Sequence, residues 1–293
     1  MRLISWNVQW GRNAVGEVDL ARTLAQARRL LDFDVLCLQE VTRGFGALPG
    51  HPGGDQFAEL AAALPGFSVF EAIGADLPPL TTATPAASAT QGASRRQFGN
   101  ALATRLPVER VTRHALPWPA DPAAPSMQRA VLEVVLQAPD GPLRVLVTHL
   151  EFYSLNQRLA QVDALRGLQL EAAGHAAHPA KAENAAGPFV DTSRPVSAVV
   201  CGDFNSAFES DAYRRMLAPL PDSPAFIDAW TALHPGETPP PTAGVYDKVQ
   251  WSSGPLTCDF IFVTEDLRGR LRRCEIDGVT QASDHQPILL ELD

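Results

Sequence analysis

Charge is scarce in this sequence: Asp, Glu, Lys and Arg make up 19% of its 293 residues, against 45% apolar residues. That balance excludes a disordered chain, which stays open only with low hydrophobicity and high charge. Positive charge is the scarcer sign. With 24 Lys and Arg against 33 Asp and Glu the formal charge is −9, which argues against a general nucleic-acid coat protein, because backbone binding rests on clustered cations, and leaves room only for a local basic patch. Cysteine is sparse as well. Cys37, Cys201, Cys258 and Cys274 show no CxxC spacing, and three of them sit within or beside apolar runs, so they read as reduced core thiols and the expected compartment is the cytoplasm. Long hydrophobic runs are missing: none approaches the roughly 18 to 20 residues of a membrane span. The opening MRLISWNVQWGRN is broken by Asn7, Gln9 and Arg12, so it lacks the apolar stretch of a secretory signal and the mature chain is expected to begin at Met1. No repeat at solenoid period is visible.

What is present is a series of short runs rich in Val, Ile, Leu and Phe: Leu3 to Trp6, Val35 to Leu38, Val131 to Leu136, Leu143 to Thr148, Ala198 to Cys201, Asp259 to Val263 and Pro287 to Leu292. Their length and β-branched content predict buried strands. Helical patterns lie between them. Over Val18 to Leu31, apolar residues recur every three or four positions (Leu20, Leu24, Ala27, Leu31) with charged and polar residues outside the stripe. Asn156 to Ala172 repeats this, and Gln56 to Leu64 is a shorter example. The chain is therefore expected to be α/β, with helices covering sheets. Two stretches dense in Ala, Pro, Thr and Ser, 72–97 and 174–195, are expected as long surface loops. The second contains His175 and His178, which lack further ligands at metal spacing and read as exposed loop histidines.

The informative residues are those at the ends of the apolar runs. Asn7 follows the first, Gln39-Glu40 the second and His149 the Leu143 run, while Gly202-Asp203-Phe204-Asn205 follows Cys201. Asp259 opens a later run, and Asp284-His285 precedes the last. If these ends share one sheet edge, the carboxylates of Glu40, Asp203, Asp259 and Asp284 meet there. Such a group repels itself, because neighbouring carboxylates raise one another's pKa. A hard divalent cation resolves the repulsion, and oxygen donors suit Mg²⁺ or Mn²⁺ better than Zn²⁺.

In order, the segments SWN, LQE, THL, GDFN, CDFIF and SDHQP resemble the endonuclease/exonuclease/phosphatase superfamily, which includes pancreatic deoxyribonuclease, apurinic endonucleases, neutral sphingomyelinases and inositol-polyphosphate 5-phosphatases. The motifs run from Asn7 to His285, so the resemblance implies a single domain over 1–293 with a four-layer α/β sandwich fold, two face-packed mixed β-sheets flanked by helices. It implies that Glu40, with Asn7 and Asp284, holds the metal. It assigns Asp203 to activating the attacking water and Asn205 to the scissile phosphate or a second metal. His285 matches the phosphate-facing histidine, with Asp259 holding its ring. His149 matches the deoxyribonuclease, sphingomyelinase and 5-phosphatase branches, whereas apurinic endonucleases typically carry Tyr there. Asn100, in Phe98-Gly99-Asn100-Ala101-Leu102, matches a position that approaches the phosphate, and Arg129, before a strand, matches an arginine that either braces the site or faces substrate. Asp228-Ala229-Trp230 and the Pro239 to Trp251 loop resemble a segment near the site mouth, where Trp230 is read as packing.

The implied reaction is hydrolysis of a phosphate ester by in-line attack of water on phosphorus. The expected protein is a monomeric Mg²⁺- or Mn²⁺-dependent phosphodiesterase or nuclease, its substrate a nucleic acid, phospholipid head group or small diester. An inositide-type phosphomonoesterase is the alternative, and it calls for a basic pocket that only Arg95-Arg96 and scattered arginines could supply. A non-catalytic binding protein on the same fold predicts losses among these positions, and the sequence shows none.

Overall fold

The computed structural model describes residues 1–79, 95–179, 187–189 and 194–293. Its twelve strands are β1 (Arg2–Asn7), β2 (Val35–Arg43), β3 (Ser68–Leu77), β4 (Arg96–Thr104), β5 (Val108–Ala115), β6 (Ala130–Ala138), β7 (Gly141–His149), β8 (Ala198–Asp203), β9 (Phe226–Asp228), β10 (Asp259–Thr264), β11 (Leu271–Ile276) and β12 (Ile288–Leu292). They form two six-stranded sheets, ordered β11-β12-β1-β2-β4-β3 and β5-β6-β7-β8-β10-β9. Both are mixed: β1 and β2 pair in parallel, as do β7 and β8, and the other pairings are antiparallel.

Alternation along the strands decides which sheet face meets which layer. Leu3, Val35 and Cys37 point toward Leu132, Val145, Val199 and Cys201 and make the inter-sheet core. Ile4, Leu36 and Leu38 point the other way, onto α1 (Leu20–Leu30) and α2 (Gln56–Ala63). On the second sheet, Leu146 and Val200 face α3 (Leu155–Ala177) and α4 (Asp211–Leu217). A short α5 (Ala229–Leu233) is the last α-helix among the described residues. The four-layer sandwich implied by the sequence is the observed fold. Each fully buried Leu or Val contributes about 1.5–3 kcal/mol. Asp19, Asp55 and Ser154 cap α1, α2 and α3 by accepting a backbone N–H at the third position, worth about 1 kcal/mol each. The four cysteines are buried and free, as expected of core thiols.

Two boundaries differ from the sequence reading. Strands β3 and β4 occupy both ends of the 72–97 stretch, and its middle, 80–94, lies outside the described residues. Helix α3 continues through Ala177, because Ala-rich 171–177 favours helix, so His175 is helical and pairs with Glu171 one turn back. Of the rest of the 174–195 stretch, 180–186 and 190–193 also lie outside the described residues. No helix among the described residues is long and apolar enough to cross a membrane.

Candidate active site

The parallel pairs β1/β2 and β7/β8 run in the same sense within their sheets, so their carboxyl ends deliver polar side chains to one edge of the sandwich. In β-register Asn7 stands beside Gln39, His149 beside Asp203, and Asp203 beside Asp259. Asn7 bridges the two sheets: its Nδ2 donates to Glu40 Oε1 at 3.1 Å and to Asp203 Oδ2 at 3.0 Å. Its Oδ1 accepts from the Gln9 backbone N–H at 3.1 Å.

Glu40 does not follow a strand end, as the apolar run to Leu38 suggests. Strand β2 continues to Arg43, and the register against β4 shifts between Leu38 and Val41. Glu40 sits in this irregularity with φ +61°, a left-handed conformation that non-glycine residues adopt at a cost of about 1–3 kcal/mol. The bulge lets a residue inside a strand face the sheet edge. Asn205 (φ +47°) carries the same strain, as do Gln9 (φ +44°) and Trp10 (φ +45°). Gly202 precedes Asp203 with φ +140°, and a Cβ there would fall on the Thr148 carbonyl oxygen. The Gly-Asp pair thus needs glycine first, so that β8 can approach β7 closely enough to set Asp203 beside His149.

Around this frame lies a cavity of about 570 Å³ lined by Glu40, Arg129, His149, Asp203, Asn205, Asp284 and His285. Asp284 accepts on Oδ2 from Gln9 Nε2 and from Trp251 Nε1, both at 3.0 Å. His285 Nδ1 lies 2.8 Å from Asp259 Oδ2. Asp203 Oδ2 stands between the histidines, 3.5 Å from His149 Nε2 and 3.8 Å from His285 Nε2. Asn205 donates from Nδ2 to the Leu150 carbonyl, and its backbone N–H reaches Asp203 Oδ1 at 2.8 Å. Arg129 is buried, with Nε 3.4 Å from Glu151 Oε2 and Nη1 without a partner among the described residues.

The charges follow from this packing. Burial first, then Asp284 and Asp203, push the Glu40 carboxyl up to about 7 against the relief given by His285 and Asn7. Burial and the Asp259 charge likewise push Asp203 up to about 6. Burial opposes a charge on His285, but Asp259, Asp284 and Asp203 outweigh it and hold the ring cationic well above its ordinary range. Burial, Arg129 and His285 drive His149 well below its ordinary range, so it is neutral. One imidazolium and one imidazole thus flank the same carboxylate.

The raised carboxyls mark oxygen donors short of positive charge, which fits a hard divalent cation. Asp203, Cys258 and His285 also bring one potential ligand atom each to within 4.8 Å of one another. That set fits less well, since burial holds the Cys258 thiol protonated and His285 is a cation bonded to Asp259. By donor chemistry the oxygens of Glu40, Asp284 and Asp203 are the better match to a hard cation, although they are not drawn within that distance of one another.

Most residues singled out in the sequence meet here. Asn100 stands back from the cavity, donating to the Ala130 carbonyl at 2.9 Å. Asp228, Ala229 and Trp230 do not line it either: Asp228 caps α5 and accepts from Tyr213 Oη, and Trp230 stacks on His234. From the Pro239 to Trp251 loop, Gln250 and Trp251 do line it. Sequence reasoning missed Gln9, Trp10, Glu151, Phe152 and Tyr153. Glu151 had a usable signal, a carboxylate two residues beyond His149 at the end of an apolar run.

Residues 4–285 match the model of the Endonuclease/Exonuclease/phosphatase family. Among solved structures, an endonuclease/exonuclease/phosphatase from Bacteroides vulgatus has a TM-score of 0.66 at 18% identity, covering 100% of this chain and 98% of its own. One from Beutenbergia cavernae has 0.63 at 20% identity, covering 100% and 71%. A mannosyl-6-phosphatase from Bacteroides thetaiotaomicron has 0.63 at 16% identity, covering 100% and 99%. A search of curated proteins found no match.

Proposed function

The chain belongs to the endonuclease/exonuclease/phosphatase family, whose members are hydrolytic phosphoesterases, and from that premise we propose that it is a divalent-cation-dependent phosphodiesterase of the nuclease-like kind. The observation that carries this is the placement of Asp203 between a cationic and a neutral histidine, next to Glu40 and Asp284 in one cavity.

Glu40 and Asp284, with Asp203 beside them, would hold the cation, Mg²⁺ or Mn²⁺; Asn7, expected as a further ligand, instead positions these carboxylates, because its Nδ2 donates to Glu40 and Asp203 and its Oδ1 is taken by the Gln9 N–H. Bound there, it supplies neutralisation of the carboxylates and polarisation of a phosphoryl oxygen. Asp203, lifted to about 6, is matched to take the proton of an attacking water at Oδ2 near neutral pH. His285, kept cationic and oriented by Asp259, offers Nε2–H to an oxygen gaining negative charge. Neutral His149 and the Nη1 of Arg129 orient the phosphate, with Asn205 beside them. Gln9 and Trp251 fix the Asp284 carboxylate by donating to its Oδ2.

A diester fits this cavity better than a phosphomonoester with further phosphates. Arg129 is its only lysine or arginine among the described residues. Of the basic pair noted in the sequence, Arg95 is bound to Asp76 and Arg96 to the Pro78 carbonyl.

The test is hydrolysis of bis-p-nitrophenyl phosphate, p-nitrophenyl phosphate, plasmid DNA, an abasic duplex and sphingomyelin, with and without Mg²⁺ or Mn²⁺, by the wild type and Asp203→Asn. Cation-dependent diester cleavage lost in the variant is expected. Cleavage that survives a chelator, or that Asp203→Asn retains, overturns the assignment.

A further inference from the structure

Beyond the phosphate-facing groups the cavity wall is aromatic, and two of its rings differ from the rest. Phe98 packs against His149 and Phe45, Trp10 donates to the Pro49 carbonyl, and Trp251 holds Asp284. Those three are committed to the fold or to the site. Phe152 and Tyr153 line the same cavity yet are 46% and 63% exposed. They meet edge to face, ring centroids 4.7 Å apart at 90°, which leaves ring faces open to solvent.

Exposed aromatics usually sit on pliable loops, but this segment is tied down along its length. The Leu150 N–H donates to the Asp203 carbonyl and the Leu150 carbonyl accepts from Asn205 Nδ2. The Glu151 N–H donates to Gln161 Oε1, and Arg158 grips the carbonyls of both Glu151 and Phe152. The Tyr153 N–H returns to Glu151 Oε1 at 3.0 Å, and Ser154 caps α3. Glu151 also carries the ion pair to Arg129, whose unpartnered buried Nη1 belongs to a side chain lining the cavity. One rigid unit thus presents a guanidinium and two open rings together.

Resting on the phosphoesterase reading, we propose that Phe152 and Tyr153 are specificity-determining residues that stack on a planar aromatic group of the substrate, a nucleobase attached through its sugar to the phosphate held by Arg129, His149 and His285. Stacking suits this wall because every base has a π-face, and the rings need no ordering on binding. It also suits a chain of charge −9, which gains little from phosphates beyond the one at the centre.

The test compares ligands that share a phosphate and sugar. Isothermal titration of the full chain in Mg²⁺ measures thymidine 5′-monophosphate against 2-deoxyribose 5-phosphate, and phenyl phosphate against cyclohexyl phosphate. The base-bearing and planar ligands are expected to bind about tenfold tighter, the scale of one stacked base. In Phe152→Leu/Tyr153→Leu both ratios should fall to near one, while Phe152→Tyr keeps them. Trp118→Ser/Leu155→Ser removes exposed apolar area outside the cavity lining and should leave the ratios intact. Equal binding of phenyl and cyclohexyl phosphates, retained ratios in the double leucine variant, or an equal loss in the Trp118/Leu155 variant overturns the proposal. Hydrolysis of bis-p-nitrophenyl phosphate is scored separately. Turnover without base preference removes the stacking assignment alone; base preference lost in the double leucine variant, without turnover of any ester, supports stacking and removes the enzymatic reading.

Discussion

Replacing Glu40 with Gln should stabilise the metal-free protein while disabling it. The Glu40 carboxyl goes from an ordinary 4.5 to about 7 in the fold, a rise of about 2.5 units, or roughly 3 kcal/mol at about 1.4 kcal/mol per unit. Glu40 is only partly buried, so solvent screening reduces this to about 2 kcal/mol. The native state binds this proton more tightly than the unfolded state. Stability therefore falls as pH rises from about 4.5 to about 7 and stays lowered above that range. The substituted glutamine would carry no charge to bury, and its amide oxygen can still accept from Asn7 Nδ2. In chelator-treated protein at pH 8, Glu40→Gln should raise the thermal midpoint by roughly 4 °C, given about 2 °C per kcal/mol for a chain of this size. At pH 4.5 the difference should nearly vanish. Adding Mg²⁺ at a hundred times its Kd should stabilise the wild type by about 2.7 kcal/mol and the variant far less, with diester turnover lost in parallel. A lower midpoint for Glu40→Gln at pH 8, or a gain just as large at pH 4.5, would refute the electrostatic account.

Asp259→Asn removes the carboxylate that orients His285 at 2.8 Å, and diesterase kcat should drop roughly 10²- to 10⁴-fold with the circular dichroism spectrum unchanged; a drop below tenfold would contradict the assigned role. Because Glu40 and Asp203 are lifted toward neutrality, binding a divalent cation should release protons, so its apparent affinity should rise between pH 6 and 8, read by calorimetry in buffers of different ionisation enthalpy. Away from the site, Glu133 is buried and pairs with Arg144 Nε at 3.2 Å and His114. Burial works against its charge, yet His114, Arg144 and Arg194 hold its carboxyl below the ordinary range, so its stabilisation is present above about pH 4.5 and is lost as pH falls. Glu133→Gln should cost about 3–5 kcal/mol by leaving Arg144 uncompensated, measured by urea unfolding at pH 7, and less near pH 3.

Four of the five strands missed in the sequence share a physical cause. β3, β5, β9 and β11 are the four sheet edges, and residues such as Glu109, Arg110, Arg272 and Glu275 place charge on them. A strand open to solvent on one side or one face needs no continuous apolar run, so its sequence resembles a loop. β4 is central, but its buried residues are small, with Ala101 and Ala103 around Leu102. The seven apolar runs that were legible each mark an interior strand, where both faces are covered; the last overruns β12 by Pro287.

The same division holds at the site. Chemistry was written locally: carboxylates, amides and histidines at the ends of apolar runs, in an order that resembles one family. By itself the sequence determined which groups were available, and from their repulsion came the expectation of a cation to reconcile them. Only the tertiary structure decided that Glu40 sits in a bulge at φ +61°, that Asn100 turns away to the Ala130 carbonyl, and that His149 is neutral while His285 is charged. It also set Phe152 and Tyr153 on a clamped turn lining the same cavity as Arg129, His149 and His285. These outcomes depend on distances across the two sheets and on how much water reaches each atom, and both arise only when residues far apart in the chain are packed together.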